Sequence, residues 1–522
     1  MKKEKKRVTA TLALVTAMTM VFAGCSSPSS SGGDKAAETP KATGQSTTKD
    51  AGSSGAKLDP VELVMVYAGP GEPKDMQVVQ EAINKVTKEK INATVKLTMI
   101  GWAAWQQQST LMLSGNEKVD LMLSGLGTYS QTVARGQYIA LDDLLAKQGQ
   151  GVKKALDDLD PAFLNATKIK GKIYAVPSIR DLAADYGITM RKDIVDKYKI
   201  DISKIKSYDD LDPIFKIVKE NEPNMIPTVK YSTNSIIDTH FNAYMDSLSD
   251  GFGVLPGLDN GLKVVNWYET PEYAKMLDMV RRWFVAGYIA KDAATSTETQ
   301  YNMVKAGKAF SFMSHMKPGI AEQESRISGV EMVSAHFVPA TTATGNITSI
   351  MWSITKNSKN PERAMMLLNL LYTDKDLVNL FDWGIEGKHY VKTSTDNIIE
   401  YPQGVDPKTH GYNLNMGWMF GNQFLSYIFK GDSPTLWKEL ADFNKNSKKS
   451  KALGFTYSAE PVKTEVAAVR NVVDQYQKAL ETGTVDPVTK LPEFNKQLKA
   501  AGIDKIIAEK QKQLDEWAKT NK

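Results

Sequence analysis

The chain has 522 residues, 42% hydrophobic and 24% charged, with a formal net charge of +5: an ordinary globular balance, long enough for two or three domains. The charge is concentrated at the front. Removing Lys2, Lys3, Lys5, Lys6, Arg7 and Glu4 from the 65 basic and 60 acidic residues leaves 60 against 59, which excludes a basic nucleic-acid binder, and a single cysteine excludes an internal disulfide.

The first residues follow the order of a secretory signal. A basic end is followed by residues 8–22, uncharged and largely apolar, and then by the small residues Ala23 and Gly24 before Cys25. The apolar run is shorter than the roughly 20 residues a helix needs to span a bilayer. Phe22-Ala23-Gly24-Cys25 resembles the bacterial lipobox, with Phe22 where an aliphatic residue is usual. That resemblance implies a signal peptide over 1–24, lipidation of Cys25 and anchoring on the outer face of the cell membrane. Each buried acyl methylene contributes about 0.8 kcal/mol to such an anchor. Residues 26–57 are Ser, Gly, Thr, Ala, Lys, Asp and Pro with almost nothing apolar beyond alanine. Such a composition predicts a disordered tether over 25–57.

The folded part is expected from about residue 58. Residues 61–67 read as a mostly buried strand stopped by Gly69-Pro70-Gly71. Residues 75–90 read as a helix with Met76, Val79, Ile83 and Val86 on one face. A strand over 93–100, a helix over 103–114 and a strand over 119–124 follow, an alternation that predicts a parallel sheet in an α/β fold. Ligands of such sheets sit at the carboxyl ends of the strands, which here carry Tyr67, Trp102 and Ser124. A short strand near 171–177 leaves this region. Helices are predicted near 208–220 and 271–286, a strand over 351–354, and a helix opened by Asn360-Pro361-Glu362. Two amphipathic helices are predicted in the tail, one carrying Val462 to Leu480 and one carrying Ile503 to Trp517.

Enzyme signals are poor. The five histidines, at 240, 315, 336, 389 and 410, show no i, i+4 pair and have no thiol partner, so no metal and no cofactor are expected. No G-x-S-x-G or P-loop occurs. The adjacent pairs Asp142-Asp143, Asp157-Asp158 and Asp209-Asp210 do not supply carboxylates facing each other across a substrate, as a glycosidase requires. Nine tryptophans, several beside turns, suit a saccharide site instead. A pyranose packs its C–H face on a ring, while its hydroxyls need fixed polar partners. Trp102 faces the expected cleft or packs in the core, and the core is favoured for Trp105, Trp283 and Trp517.

Several segments together carry a family resemblance. They are residues 114–122, the acidic turn Leu141-Asp142-Asp143-Leu144-Leu145, residues 171–177, Met190-Arg191-Lys192-Asp193 and Gly307-Lys308-Ala309-Phe310. In this order they resemble the extracellular solute-binding proteins of carbohydrate ABC importers, in the group related to maltose-binding protein. Trp383-Gly384-Ile385-Glu386-Gly387-Lys388-His389-Tyr390 resembles a motif of the LplA-like lipoproteins of that group. Residues 454–522 resemble the domain of unknown function DUF3502 that ends many of them.

The resemblance implies an α/β, two-lobe periplasmic-binding-protein-like fold of type II, with a hinge between the lobes and an extra C-terminal helical segment. The N-terminal lobe is expected over 58–178 and 336–400, and the C-terminal lobe over 179–335 and 401–453. A saccharide between the lobes, a membrane ABC permease and membrane lipid through Cys25 are the expected partners of a monomer. The expected ligand contacts are Tyr67, Trp102, Ser124, Arg180, Asp181, Tyr186, Trp267, His315, Trp352, Trp383 and Glu386, with Trp418 a further candidate. A hinge salt bridge is the rival reading of Arg180-Asp181, core that of Trp352, and lobe packing that of Trp383 and Glu386. A peptide or small-solute receptor of the same fold, a surface glycoside hydrolase and an adhesion protein remain as alternatives.

Overall fold

The computed structural model describes residues 58–521 except 231–234, 238–243, 407–408 and 414–415. The expected signal, the tether, Cys25 and His240 lie outside the described residues. No helix among the described residues is long and apolar enough to cross a membrane.

The first sheet starts from Val61–Gly69, whose residues 63 and 65–69 are all buried. It pairs in parallel with Ala93–Gly101 along its whole length, from Val61 opposite Ala93 to Gly69 opposite Gly101. Leu121–Gly125 pairs in parallel on its other side. The connecting helix Met76–Ile91 buries Met76, Val79, Ile83, Thr87 and Ile91, one face at helical spacing. Ile350–Ile354 then returns and adds antiparallel to Leu121–Gly125, with Val176–Pro177 beyond it. One core joins both faces of this sheet, including Leu63, Val95, Leu123, Trp352, Leu368 and Phe420.

The second sheet has the order Lys448–Lys449, Met332–Thr342, Ala184–Arg191, Ala309–Met316, Ile226–Val229. Ala184–Arg191 is antiparallel to both of its neighbours, and a hydroxyl row, Thr189 with Ser314 at 3.2 Å and Ser334 at 3.3 Å, crosses the three strands. Met332–Thr342 belongs wholly to this sheet, past the boundary at 336 expected from the sequence. Conversely Tyr412, Met416, Met419 and Phe420 lie in the first core, although 401–453 was expected in the second lobe. Residues that alternate between lobes over so short a stretch leave no composition shift to read.

The chain crosses between the sheets near 178–184, 342–350 and 426–448. These segments are stitched together. Ile179 N donates to Gly421 O at 2.8 Å and Gln423 N to Ile179 O at 3.0 Å. The buried amide of Asn444 accepts from Leu182 N at 2.8 Å and Ala183 N at 3.1 Å, and donates to Arg180 O at 2.6 Å. At Gly125, φ is +99° and a Cβ would strike the Ser349 carbonyl, so only glycine lets the third strand of the first sheet meet the second crossing.

Three helices end the chain: Lys463–Glu481, Pro487–Ala501 and Ile503–Thr520. The sequence reading gave two of these three; the middle one contains Pro487 and Pro492. Pro487 occupies the first turn, where its missing N–H costs nothing, behind an Asp486 cap that accepts from Val488 N at 2.9 Å. Val469, Leu480, Phe494, Ile506 and Leu514 share one core with Phe215, Trp267, Tyr273 and Trp283 of the second lobe. Lys510 is fully buried there; its ammonium donates to Asp250 Oδ1 at 2.5 Å and to Gly253 O at 3.0 Å. Removing one partner of a buried pair strands the other charge. Lys510→Met is therefore expected to lower unfolding free energy by about 3–5 kcal/mol, read from urea denaturation, and adding Asp250→Asn is expected to recover part of the loss.

Candidate ligand-binding cleft

The crossing segments form the floor of a cavity of about 490 Å³ between the lobes. The first lobe contributes Asp382 and Trp383 from the end of the helix Lys375–Asp382, Trp418 from the turn Gly417–Met419, and Gln423. The second lobe contributes His315 and Lys317 from the end of Ala309–Met316, and Gln323 and Arg326 from the helix Ile320–Ser328. Arg180 and Asp181 come from the first crossing and Trp437 from the helix Leu436–Asn446.

Arg180 and Asp181 both line the cavity and pair with each other, Nη1 to Oδ1 at 2.9 Å. The salt bridge of the hinge reading is therefore present, and it lines the cavity. Arg180 Nη2 also donates to Ser349 Oγ at 2.6 Å and to Asn346 O at 3.1 Å, and Lys317 Nζ lies 3.1 Å from Asp181 Oδ2. Burial alone would raise the Asp181 carboxyl; the charges of Lys317 and Arg180 overcome it and hold the group well below the usual carboxylate range. Burial beside Lys317 pushes His315 down to about 4, so its ring is neutral at neutral pH.

Trp383 forms part of the wall, its Nε1 donating to Ser426 Oγ at 2.9 Å and its ring stacked on Phe429 at 5.6 Å. The motif around it is folded by His389. Ile385 N donates to Nδ1 at 2.9 Å, which leaves the ring proton on Nε2, 3.1 Å from Asp75 Oδ2. Gly384 and Gly387 take φ of +80° and +81° to make the turn. Glu386 points away from the cavity; it is exposed and pairs with Lys392 at 2.8 Å. Within one motif, then, Trp383 meets the cleft and Glu386 does not.

Trp102 is 43% exposed and stacks on Trp418 with ring centroids 6.4 Å apart and planes 18° from parallel. Trp418 lines the cavity and Trp102 stands behind it.

Five expected contacts lie elsewhere. Tyr67 is fully buried, its ring edge-on to Phe420 at 5.2 Å, because its strand continues to Gly69 and its side chain turns into the core. Ser124 is buried and accepts from Ser353 Oγ at 2.9 Å across the sheet. Trp352 is fully buried, its Nε1 donating to Met419 O at 2.7 Å. Trp267 packs with Tyr273 in the second core. Tyr186 is buried on Ala184–Arg191, opposite His315.

The sequence reading missed Asp382, Lys317, Gln323, Arg326 and Trp437. Asp382 is 3% exposed, lines the cavity and has no cation paired with its carboxyl among the described residues. Burial pushes its pKa up to about 7, with the nearby Ser426 hydroxyl lowering it only in part. As the last residue of an amphipathic helix it carried no signal of its own. Arg326 of the second lobe pairs with Asp432 of the third crossing at 2.6 Å. Among the described residues no group of three or more His, Cys, Asp or Glu is placed to hold a metal ion.

Comparison with known proteins agrees with this geometry. The profile of the bacterial extracellular solute-binding proteins matches residues 69–378, and that of DUF3502, a domain of unknown function, matches 451–519. A carbohydrate ABC transporter substrate-binding protein of Streptococcus pneumoniae serotype 4 is 31% identical over 488 residues, covering 91% of this chain and 94% of the relative. The solved N-glycan transport solute binding protein (NgtS) of Streptococcus pneumoniae is 29% identical, with a TM-score of 0.80 over 89% of this chain and 100% of that one. Its complex with Man5GlcNAc has a TM-score of 0.69 over the same shares. With two α/β lobes, linking segments between them and a cavity where they meet, the chain belongs to the bacterial extracellular solute-binding proteins.

Proposed function

We propose that this protein captures an oligosaccharide between its lobes and delivers it to the permease of an ABC importer. The observation that carries this reading is the wall of the interlobe cavity, where the indoles of Trp383, Trp418 and Trp437 alternate with Arg180, Asp181, Gln323 and Gln423. Rings offer faces to the apolar side of a pyranose, and the interleaved amides and charges meet its hydroxyls. The relatives support it: one is named for carbohydrate transport and the solved one is described in complex with Man1GlcNAc and Man5GlcNAc. Anchoring by lipid on Cys25 rests on the lipobox-like run and keeps the receptor beside its permease.

Capture is non-covalent. Contacts from both lobes favour the closed arrangement by no more than the ligand's differential affinity for it. One observation favours a hydrolase instead, the raised carboxyl of Asp382, which has the protonation of a general acid. Retaining and inverting mechanisms both need a second, free carboxylate, and the other two aspartates of the wall, Asp181 and Asp432, are ion-paired with Arg180 and Lys317 and with Arg326.

Calorimetric titration with a saccharide panel tests the proposal. Binding without release of new reducing ends is expected; a folded protein that binds no glycan at millimolar concentration, or that cleaves one, rejects it. Trp418 is half-buried, so Trp418→Ala is expected to fold with an unchanged melting temperature and to bind about tenfold more weakly, or about 1.4 kcal/mol.

Asp382 makes a separate prediction. From about pH 4 to about pH 7 the folded chain holds a proton there that the unfolded chain releases, so this group makes stability fall as pH rises through that window. Asp382→Asn removes the titration. In differential scanning fluorimetry it is expected to melt higher than the wild type at about pH 8 and to lose that advantage at about pH 4.

A further inference from the structure

The chain enters its C-terminal domain through a short strap that touches both lobes. Lys448–Lys449 pairs in parallel with Thr341 and Thr342 at the edge of the second sheet. Ser450 N then donates to Thr342 O at 2.8 Å. Thr344 Oγ1, in the second crossing, donates to Ala452 O at 3.2 Å and accepts from Gly454 N at 2.8 Å. From here the side chains of the strap part. Ala452 and Phe455 enter the core that the second lobe shares with the tail helices. Leu453 packs instead against a separate cluster, made of Phe163 and Ala166 of the first lobe with Leu182 and Ile347 of the first and second crossings. Beside it, Lys449 Nζ lies 2.7 Å from Asp160 Oδ2 and 5.8 Å from the centre of the Phe163 ring. Asp160 also caps the first-lobe helix Pro161–Asn165, its Oδ1 accepting from Ala162 N at 2.8 Å. At Gly454, φ is +97°, and a Cβ there would stand 3.5 Å from Ala166 Cα and 3.8 Å from the indole of Trp517 in the last helix. First lobe, strap and tail therefore meet at one point.

That point lies on the side of the crossings turned away from the cleft. Arg180 and Asp181 line the cavity, whereas Leu182, next in the chain, is fully buried in the cluster. Ile350 lines the cavity, whereas Ile347 just before it is fully buried in the cluster. Asp160, Phe163, Lys449 and Leu453 are not part of the cavity wall. From this placement we propose that the strap is a brace behind the hinge, through which the C-terminal domain opposes closure of the lobes and so sets ligand affinity. The crossings act as the fulcrum. A rotation that draws the cleft walls together parts the Asp160–Ala166 segment from Lys449 and Leu453, so their ion pair and apolar contact resist it. The tail helices hold the other face of the strap through Ala452 and Phe455, which gives the brace a firm backing. When the binding-competent state is only fractionally populated, apparent affinity falls by that fraction. Loosening the brace therefore tightens binding without altering any residue of the cleft. The inference rests on the lobe closure of the proposed function and not on which ligand drives it.

The test uses Lys449→Met and Leu453→Ala, singly and together. Both residues are half-buried, and melting curves check that each variant folds. Small-angle X-ray scattering of the ligand-free proteins is expected to give a smaller radius of gyration for the double variant than for the wild type. In calorimetry with the saccharide panel, each single variant is expected to bind about threefold more tightly and the double variant about tenfold. Folded variants whose free-state scattering matches the wild type, or whose affinity is unchanged or lower, overturn the brace and leave the saccharide reading intact. A wild type that binds no glycan rejects the saccharide reading alone, and the scattering of the free proteins then decides the brace.

Discussion

The guanidinium of Arg180 is held from three directions where the chain first crosses between the lobes. It binds the carboxylate of Asp181 beside it, and the Ser349 hydroxyl and Asn346 carbonyl of the second crossing. Asp181 in turn holds Lys317 of the second lobe. Arginine suits this place because its rigid planar fork sets several donors in fixed directions, whereas a lysine ammonium is a compact charge on a flexible stem. The rest of the cleft depends on this cluster. It fixes the floor, adds to the burial that keeps His315 neutral, and joins the crossings so that neither moves alone. One carboxylate is shared by two cations, Arg180 and Lys317, so the floor presents fixed, ordered donors to a ligand.

Much of the fold could be read from the sequence because its signals are local. The strand and helix alternation from residue 61 to 125 lies in consecutive apolar runs and turn glycines, and the structure keeps it within one to two residues at most boundaries. The site was read less well, for a reason of geometry. The rule that ligands lie at strand ends pointed to Tyr67 and Ser124, but the first strand runs two residues past Tyr67, which therefore lies inside a sheet covered on both faces and not at its end. Trp383 and Arg180-Asp181 were found through family motifs and not through chemistry. Asp382, Arg326 and Trp437 come together only through long-range packing, from three helices far apart in sequence, and no local pattern marks them.

The aromatic residues divide the same way. Of the tryptophans considered for the ligand, Trp267 and Trp352 complete cores, and the buried indole of Trp352, in the middle of a strand, donates its N–H to Met419 O. Trp383 and Trp418, at a helix end and in a short turn, line the cavity, as does Trp437, which the sequence did not mark.

The tail helices bear on how the molecule acquires its shape. The core of the second lobe joins Ile188, Phe215 and Trp283 to Val469, Phe494, Ile506 and Leu514, residues separated by some of the longest sequence intervals in the chain. That core cannot close until the distal helices are available, and loops of this length form slowly. The first lobe waits as well, since Ile350–Ile354 and Phe420 complete its sheet and core. A chain that enters a new compartment end first would therefore stay unfolded along most of its length during passage. Compaction would come only once the whole ribbon had emerged, which is the order of events that threading through a narrow channel requires.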